Sequence, residues 1–123
     1  MSRILVIDDS RDAAHMLKVL LTKIGHQVEA VCDGRQGVEA ATQSLPEIVF
    51  CDIGMPTMDG YEVAQALRAD ERTRGAYLVA LTGYGEDDDR AKAIDAGFDQ
   101  HLVKPIGLAT LQQAIANADV RRE

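Results

Sequence analysis

No apolar run in this chain approaches the about 20 residues that a helix needs to cross a bilayer, so a helical membrane span is excluded. Cations are also in short supply, with 13 Lys and Arg against 20 Asp and Glu and a net charge of −7. Nucleic-acid affinity comes mainly from clustered Lys and Arg that neutralise phosphates, so no direct nucleic-acid-binding face is expected and any effect on DNA is indirect. Cysteine is scarce: Cys32 and Cys51 fall on or at the ends of predicted strands. If those strands flank the first one, the two thiols are two strand spacings apart, roughly 9–10 Å, too far for a disulfide. Both read as small buried hydrophobes in a reducing compartment. There is no charged-then-apolar leader, because Met1-Ser2-Arg3 runs straight into the first candidate strand, and no repeat, low-complexity segment or linker. The expectation is a single soluble, cytoplasmic domain over residues 1–123, without membrane contact and without an attached output domain.

What the chain does have is a regular alternation of apolar runs and amphipathic stretches. Strands are predicted at 3–8, 27–32, 47–52, 77–82 and 100–103, and helices at 11–24, 34–44, 59–69, 86–96 and 108–119. In the first helix Ala13, Met16, Leu17, Leu20 and Ile24 recur at three- and four-residue spacing, with Ser10 placed as N-cap and Gly25 as stop. Leu108, Leu111, Ile115 and Ala118 repeat the pattern in the last helix. The runs Ile4 to Ile7, Ile48 to Cys51 and Leu78 to Leu81 are continuously apolar, as strands buried on both faces are. Five βα units with right-handed crossovers predict an α/β fold, a doubly wound five-stranded parallel sheet of flavodoxin-like order 2-1-3-4-5.

Three of these runs end on groups suited to phosphate and magnesium: Asp8-Asp9 after the first strand, Asp52 after the third, and Lys104-Pro105 after the fifth. Open α/β sheets bind ligands at the carboxyl edge, and the switch point falls between strands one and three. Clustered carboxylates repel one another unless a hard cation sits among them, which suits Mg²⁺ and a phosphoryl group. Each residue has a plainer reading. Asp8-Asp9 could cap a helix, although Ser10 already serves. Lys104 could be a surface group whose stem covers apolar neighbours, Gly54 to Gly60 an ordinary loop, and Thr82 the start of a helix cap. Asp52 resists such a reading, because an unpaired buried carboxylate would cost several kcal/mol. Glu86 to Asp89 read as a solvated first helical turn, and His15 and His26 as surface residues.

In this order and spacing the residues resemble the receiver domain of two-component response regulators, over essentially the whole chain. The acidic pair is Asp8-Asp9, the phosphoacceptor corresponds to Asp52 within Asp52-Ile53-Gly54-Met55-Pro56-Thr57-Met58-Asp59-Gly60, the switch hydroxyl to Thr82, and the lysine to Lys104 before Pro105. The resemblance implies transfer of a phosphoryl group from a sensor histidine kinase or a histidine phosphotransfer protein to Asp52. It implies Mg²⁺ held by Asp9, Asp52 and the backbone carbonyl of Gly54, with Asp8 acting through a water. It further implies a cis Lys104–Pro105 bond, a turn of Thr82 toward the phosphoryl group, and readout at a face built by the fourth helix, fifth strand and fifth helix. Such a domain modifies itself and is not an enzyme that turns over a metabolite. His101 departs from the family, which often places Tyr or Phe there as the partner of the threonine. Gly54 and Tyr84 occupy positions that tune the phosphoryl lifetime.

Two alternatives share parts of this pattern. The run Ala80-Leu81-Thr82-Gly83-Tyr84-Gly85, followed by Ala96-Gly97-Phe98-Asp99 and His101-Leu102-Val103-Lys104-Pro105, looks most like receivers fused to the C-terminus of hybrid sensor histidine kinases, although a free-standing regulator has the same length. A haloacid-dehalogenase-type phosphatase also uses a strand-end Asp nucleophile with Mg²⁺, but needs a second Asp where this chain has Gly54.

Overall fold

The computed structural model describes residues 2–83 and 87–122; Tyr84 and Glu86 lie outside this range. The strands are β1 (Arg3–Ile7), β2 (Gln27–Val31), β3 (Ile48–Asp52), β4 (Tyr77–Thr82) and β5 (Gln100–Val103). They alternate with α1 (Arg11–Lys23), α2 (Gly34–Ser44), α3 (Gly60–Ala69), α4 (Asp87–Ala96) and α5 (Leu108–Arg122). All pairings are parallel and the strand order is β2-β1-β3-β4-β5. The predicted doubly wound architecture is therefore the observed one.

Strand side chains alternate between two cores. Ile4, Val6, Ile48, Phe50, Val79 and Leu81 pack against α1 and α5. Leu5, Ile7, Val49, Cys51, Leu78 and Ala80 face α2, α3 and α4. Each fully buried aliphatic or aromatic side chain contributes about 1.5–3 kcal/mol, so the two-sided burial of three central strands holds the sheet together. Facing both ways is why these strands carry no polar alternation.

The helices begin where side chains can satisfy their first N–H groups. Ser10 Oγ accepts from the Ala13 N–H, Asp33 Oδ1 from Gln36, and Asp59 Oδ1 from Glu62, whose own carboxylate accepts from the Asp59 N–H to complete a capping box. α1 stops at Gly25, whose φ of +100° an L side chain rarely adopts.

Two residues assigned to inward faces point elsewhere. Met16 is 64% exposed, because α1 buries Ala14, Leu17 and Leu21 instead. At 3.6 residues per turn Met16 lies about 130° from that stripe, although it shares the three-residue spacing of Ala13. Leu108 is 40% exposed, since it opens α5 about 70° from the face formed by Leu111, Ala114, Ile115 and Ala118. The helix also runs to Arg122, three residues beyond its predicted end. Cys32 and Cys51 are both free, Cys51 buried and Cys32 only partly so. His15 is exposed, whereas His26 is half-buried and its Nδ1 accepts from the Ser2 N–H at 3.0 Å. No helix among the described residues is long and apolar enough to cross a membrane.

Candidate functional site

β1 and β3 are hydrogen-bonded neighbours, with Ile7 opposite Cys51, so the residues that follow them emerge side by side at the carboxyl edge. Asp8, Asp9 and Asp52 there offer carboxylate oxygens that all lie within 4.8 Å of one another. Asp8 is fully buried, Asp52 is buried and Asp9 is exposed, so the cluster is an acidic pocket open on one side. Hard oxygen donors of this kind suit Mg²⁺, which uses one or two carboxylates together with phosphate oxygens and waters.

Lys104 supplies the counter-charge from β5, on the far side of β4. Its Nζ donates to Asp8 Oδ2 at 2.9 Å and lies 3.7 Å from Asp52 Oδ2. Asp8 Oδ1 accepts from the Ser10 N–H at 3.0 Å, so both oxygens of this carboxylate are engaged within the protein. The sequence placed Asp8 and Lys104 at one sheet edge and gave Asp8 a role through a water, but not the direct bond between these residues, 96 positions apart. Only the strand order brings them together.

Asp52 Oδ1 accepts from the Gly54 N–H at 3.1 Å. Burial pushes the Asp52 carboxyl above the usual carboxylate range, and the Asp8 charge and Asp9 carboxyl add to this, against the Gly54 N–H and Lys104. For Lys104, burial favours the neutral amine, but its bond to Asp8 and the charges of Asp52 and Asp8 outweigh that and raise its pKa. Asp52 is thus a carboxylate in excess negative potential, ready to be stabilised by added positive charge.

Around this pocket, Thr82 is buried at the end of β4, directly after Leu81, the register partner of Asp52. In β5, His101 lies opposite Ala80 and Val103 opposite Thr82, so His101 and Thr82 share the α4 face of the sheet. His101 Nε2 is a buried side-chain polar atom without a hydrogen-bond partner among the described residues. The Lys104–Pro105 peptide is cis. Gly54 is exposed at the start of the β3–α3 loop, where Thr57 adopts φ +67°. Beside Asp9 a cleft of about 530 Å³ opens between this loop and the start of α2, lined by Met55, Pro56, Met58, Cys32 and Arg35 among others.

The sequence matches the model of the response regulator receiver domain over residues 4–116. It is 36% identical over 105 residues to RpaA of Synechocystis sp., a DNA-binding dual master transcriptional regulator, covering 85% of this chain and 44% of RpaA. The chain thus spans less than half of that relative's length. The chemotaxis protein CheY4 of Vibrio cholerae aligns with a TM-score of 0.91 at 26% identity, covering 96% of this chain and 98% of that one. The receiver domain of the sensor histidine kinase PA1611 from Pseudomonas aeruginosa PAO1 was solved with a magnesium ion coordinated in its active site cleft. It aligns with a TM-score of 0.87 at 29% identity, over 94% of this chain and 95% of that one. A transcriptional regulator and a chemotaxis protein among these similarities do not favour a hybrid-kinase origin. An acidic pocket at the switch point of a five-stranded parallel sheet, with similarity along nearly the whole length, has one consistent reading: the chain belongs to the response regulator receiver domain family, the phosphoacceptor module of two-component signalling.

Proposed function

We propose that residues 1–123 form one cytoplasmic receiver domain that accepts a phosphoryl group on Asp52. The observation that carries this reading is the buried Asp52 carboxylate, set among Asp8 and Asp9 with Lys104 Nζ 3.7 Å away. An Asp52 oxygen attacks the phosphorus presented on a kinase or phosphotransfer-protein histidine. The new O–P bond forms as the P–N bond breaks, and the electron pair leaves on the imidazole nitrogen. Phosphoryl transfer asks the protein mainly for positioning and charge neutralisation. Asp9, Asp52 and the Gly54 carbonyl are the ligands assigned to Mg²⁺, with Asp8 reached through a water. When bound, Mg²⁺ offsets negative charge on the transferring group.

Lys104 provides the second positive charge, held in place by Asp8. Thr82 is the hydroxyl that turns toward the phosphoryl oxygens, and His101 responds on the same sheet face. The response is read at the α4–β5–α5 face by a downstream partner that is neither nucleic acid nor membrane. The domain catalyses its own modification and turns over no metabolite, so the phosphatase alternative is set aside: Gly54 lacks the carboxylate that acid–base step requires.

The test is incubation with Mg²⁺ and a small acyl phosphate, with the phosphoryl group located by mass spectrometry. One added phosphoryl group on Asp52, absent from Asp52→Asn and without Mg²⁺, is the expected result. Labelling that persists in Asp52→Asn rejects the assignment.

A further inference from the structure

Gly34 is buried at the first position of α2, and the space a side chain would need is already taken. A Cβ there would lie 2.7 Å from the Met58 carbonyl oxygen, 3.0 Å from Val63 Cγ2 and 3.1 Å from Met58 Cβ. Its value is therefore room: a neighbouring helix leans directly on the backbone of the loop after β3.

That loop, residues 53–59, is closed on itself. The Gly60 N–H donates to the Ile53 carbonyl at 3.3 Å, and a Cβ on Gly60 would lie 2.6 Å from the Asp52 carbonyl oxygen. The loop thus leaves and returns beside Asp52, while its far side rests on Gly34 through Met58. Few soft torsions remain between these supports. Gly54 is tied by its N–H to Asp52 Oδ1, Met55 is buried, and Pro56 has a fixed φ. Thr57 sits at φ +67°, and the Met58 N–H donates to the Pro56 carbonyl at 2.7 Å. A displacement forced on Met58 therefore travels back toward Gly54.

We infer that Gly34 is a positioning residue for the metal-binding loop, fixing the Gly54 backbone, whose N–H is bonded to Asp52 Oδ1 and whose carbonyl is assigned to the metal. The inference rests on the metal assignment made under Proposed function. In Gly34→Ala the obstructing atom is a backbone carbonyl, which cannot rotate away as a side chain would, so the loop itself shifts by a few tenths of an ångström. Supports behind a first ligand shell typically alter metal affinity about 10–100-fold, and about tenfold weaker Mg²⁺ binding is expected here.

Calorimetric Mg²⁺ titration of the wild type, Gly34→Ala, Gly75→Ala and Asp52→Asn tests this, alongside acyl-phosphate labelling at increasing Mg²⁺. Gly75→Ala is the matched control, because nothing lies within 4 Å of its added Cβ. The expected result is weaker Mg²⁺ binding in Gly34→Ala, wild-type binding in Gly75→Ala, and labelling in Gly34→Ala that recovers its plateau at high Mg²⁺. A folded Gly34→Ala with wild-type Mg²⁺ affinity overturns the inference while leaving the metal assignment intact, even if its Tm falls. A wild type whose Mg²⁺ binding is absent, or is indifferent to Asp52→Asn, overturns both. Thr57→Gly serves if Gly34→Ala does not fold: it suits the positive φ, keeps Tm, and frees a torsion on the same path. Weaker Mg²⁺ binding by Thr57→Gly is then required, and unchanged affinity rejects the positioning role.

Discussion

Single residues here owe their character to what surrounds them, and His26 shows this at its simplest. Burial holds its pKa below the ordinary 6.5, against the nearby carboxylates of Asp119 and Glu47, and its Nδ1 must stay unprotonated to accept from the Ser2 N–H. A base whose folded pKa is lowered binds protons more readily when unfolded, so stability rises with pH across that interval. The contribution is complete above 6.5 and is lost as the pH falls through 6.5 toward the lower folded value. His26→Gln is expected to flatten the dependence of urea-unfolding stability between about pH 7 and 5 relative to wild type; equal slopes would show that the bond does not report on the proton. His26 read as a surface residue in the sequence, because the Ser2 backbone that partly buries it is 24 residues away. Met16 fails in the opposite direction, since its spacing fits a buried stripe that other residues occupy.

Elements are fastened to one another at the sheet edge opposite the acidic pocket by a carboxylate. Asp99, between α4 and β5, has one oxygen that accepts from Arg68 of α3 at 2.8 Å and from the Leu78 N–H of β4 at 2.8 Å, with Arg121 of α5 at 3.0 Å. Arg68 also donates to the carbonyls of Arg74, Ala76 and Gly97, and Arg121 to that of Gly75, with its guanidinium 4.8 Å from the Tyr77 ring centroid. Removing this carboxylate leaves the half-buried Arg68 guanidinium, the exposed one of Arg121 and a backbone N–H without it. Asp99→Ala is therefore expected to cost about 2 kcal/mol in denaturant unfolding. The exposed Asp70–Arg72 pair is just as short, at 2.7 Å, yet Asp70→Ala is expected to cost far less, because water takes over from a lost partner at the surface. Comparable losses would mean that distance outranks burial here. The elements themselves were legible: the apolar runs, with the cap at Ser10 for α1, set their starts within a residue or two, whereas the caps at Asp33 and Asp59 emerged only with the structure. The network joining them was not, because its members are ordinary surface types until the fold collects them.

Across the whole molecule, the acidic pocket is a local cost carried by a stable scaffold. Asp52 has a raised carboxyl pKa, so its ionised form at neutral pH opposes folding when no cation is added. Asp52→Asn keeps an oxygen for the Gly54 N–H while removing the charge. Its Tm in EDTA is expected to exceed that of wild type by a few degrees, on the order of 1 kcal/mol. Mg²⁺ should narrow the gap by stabilising wild type through binding to the folded state. A variant no more stable than wild type in EDTA would show that Lys104 already balances the pocket. The sequence by itself determined the number and type of elements, the parallel sheet and the residues at its carboxyl edge, because hydrophobic period, helix caps and strand-end polar groups are local properties of the chain. Only the tertiary structure decided that Asp8 holds Lys104, that His101 Nε2 is buried without a partner among the described residues, and that α2 presses its Gly34 against the β3–α3 loop. Those are contacts between segments far apart in sequence, and their distances follow from packing, which no local pattern encodes.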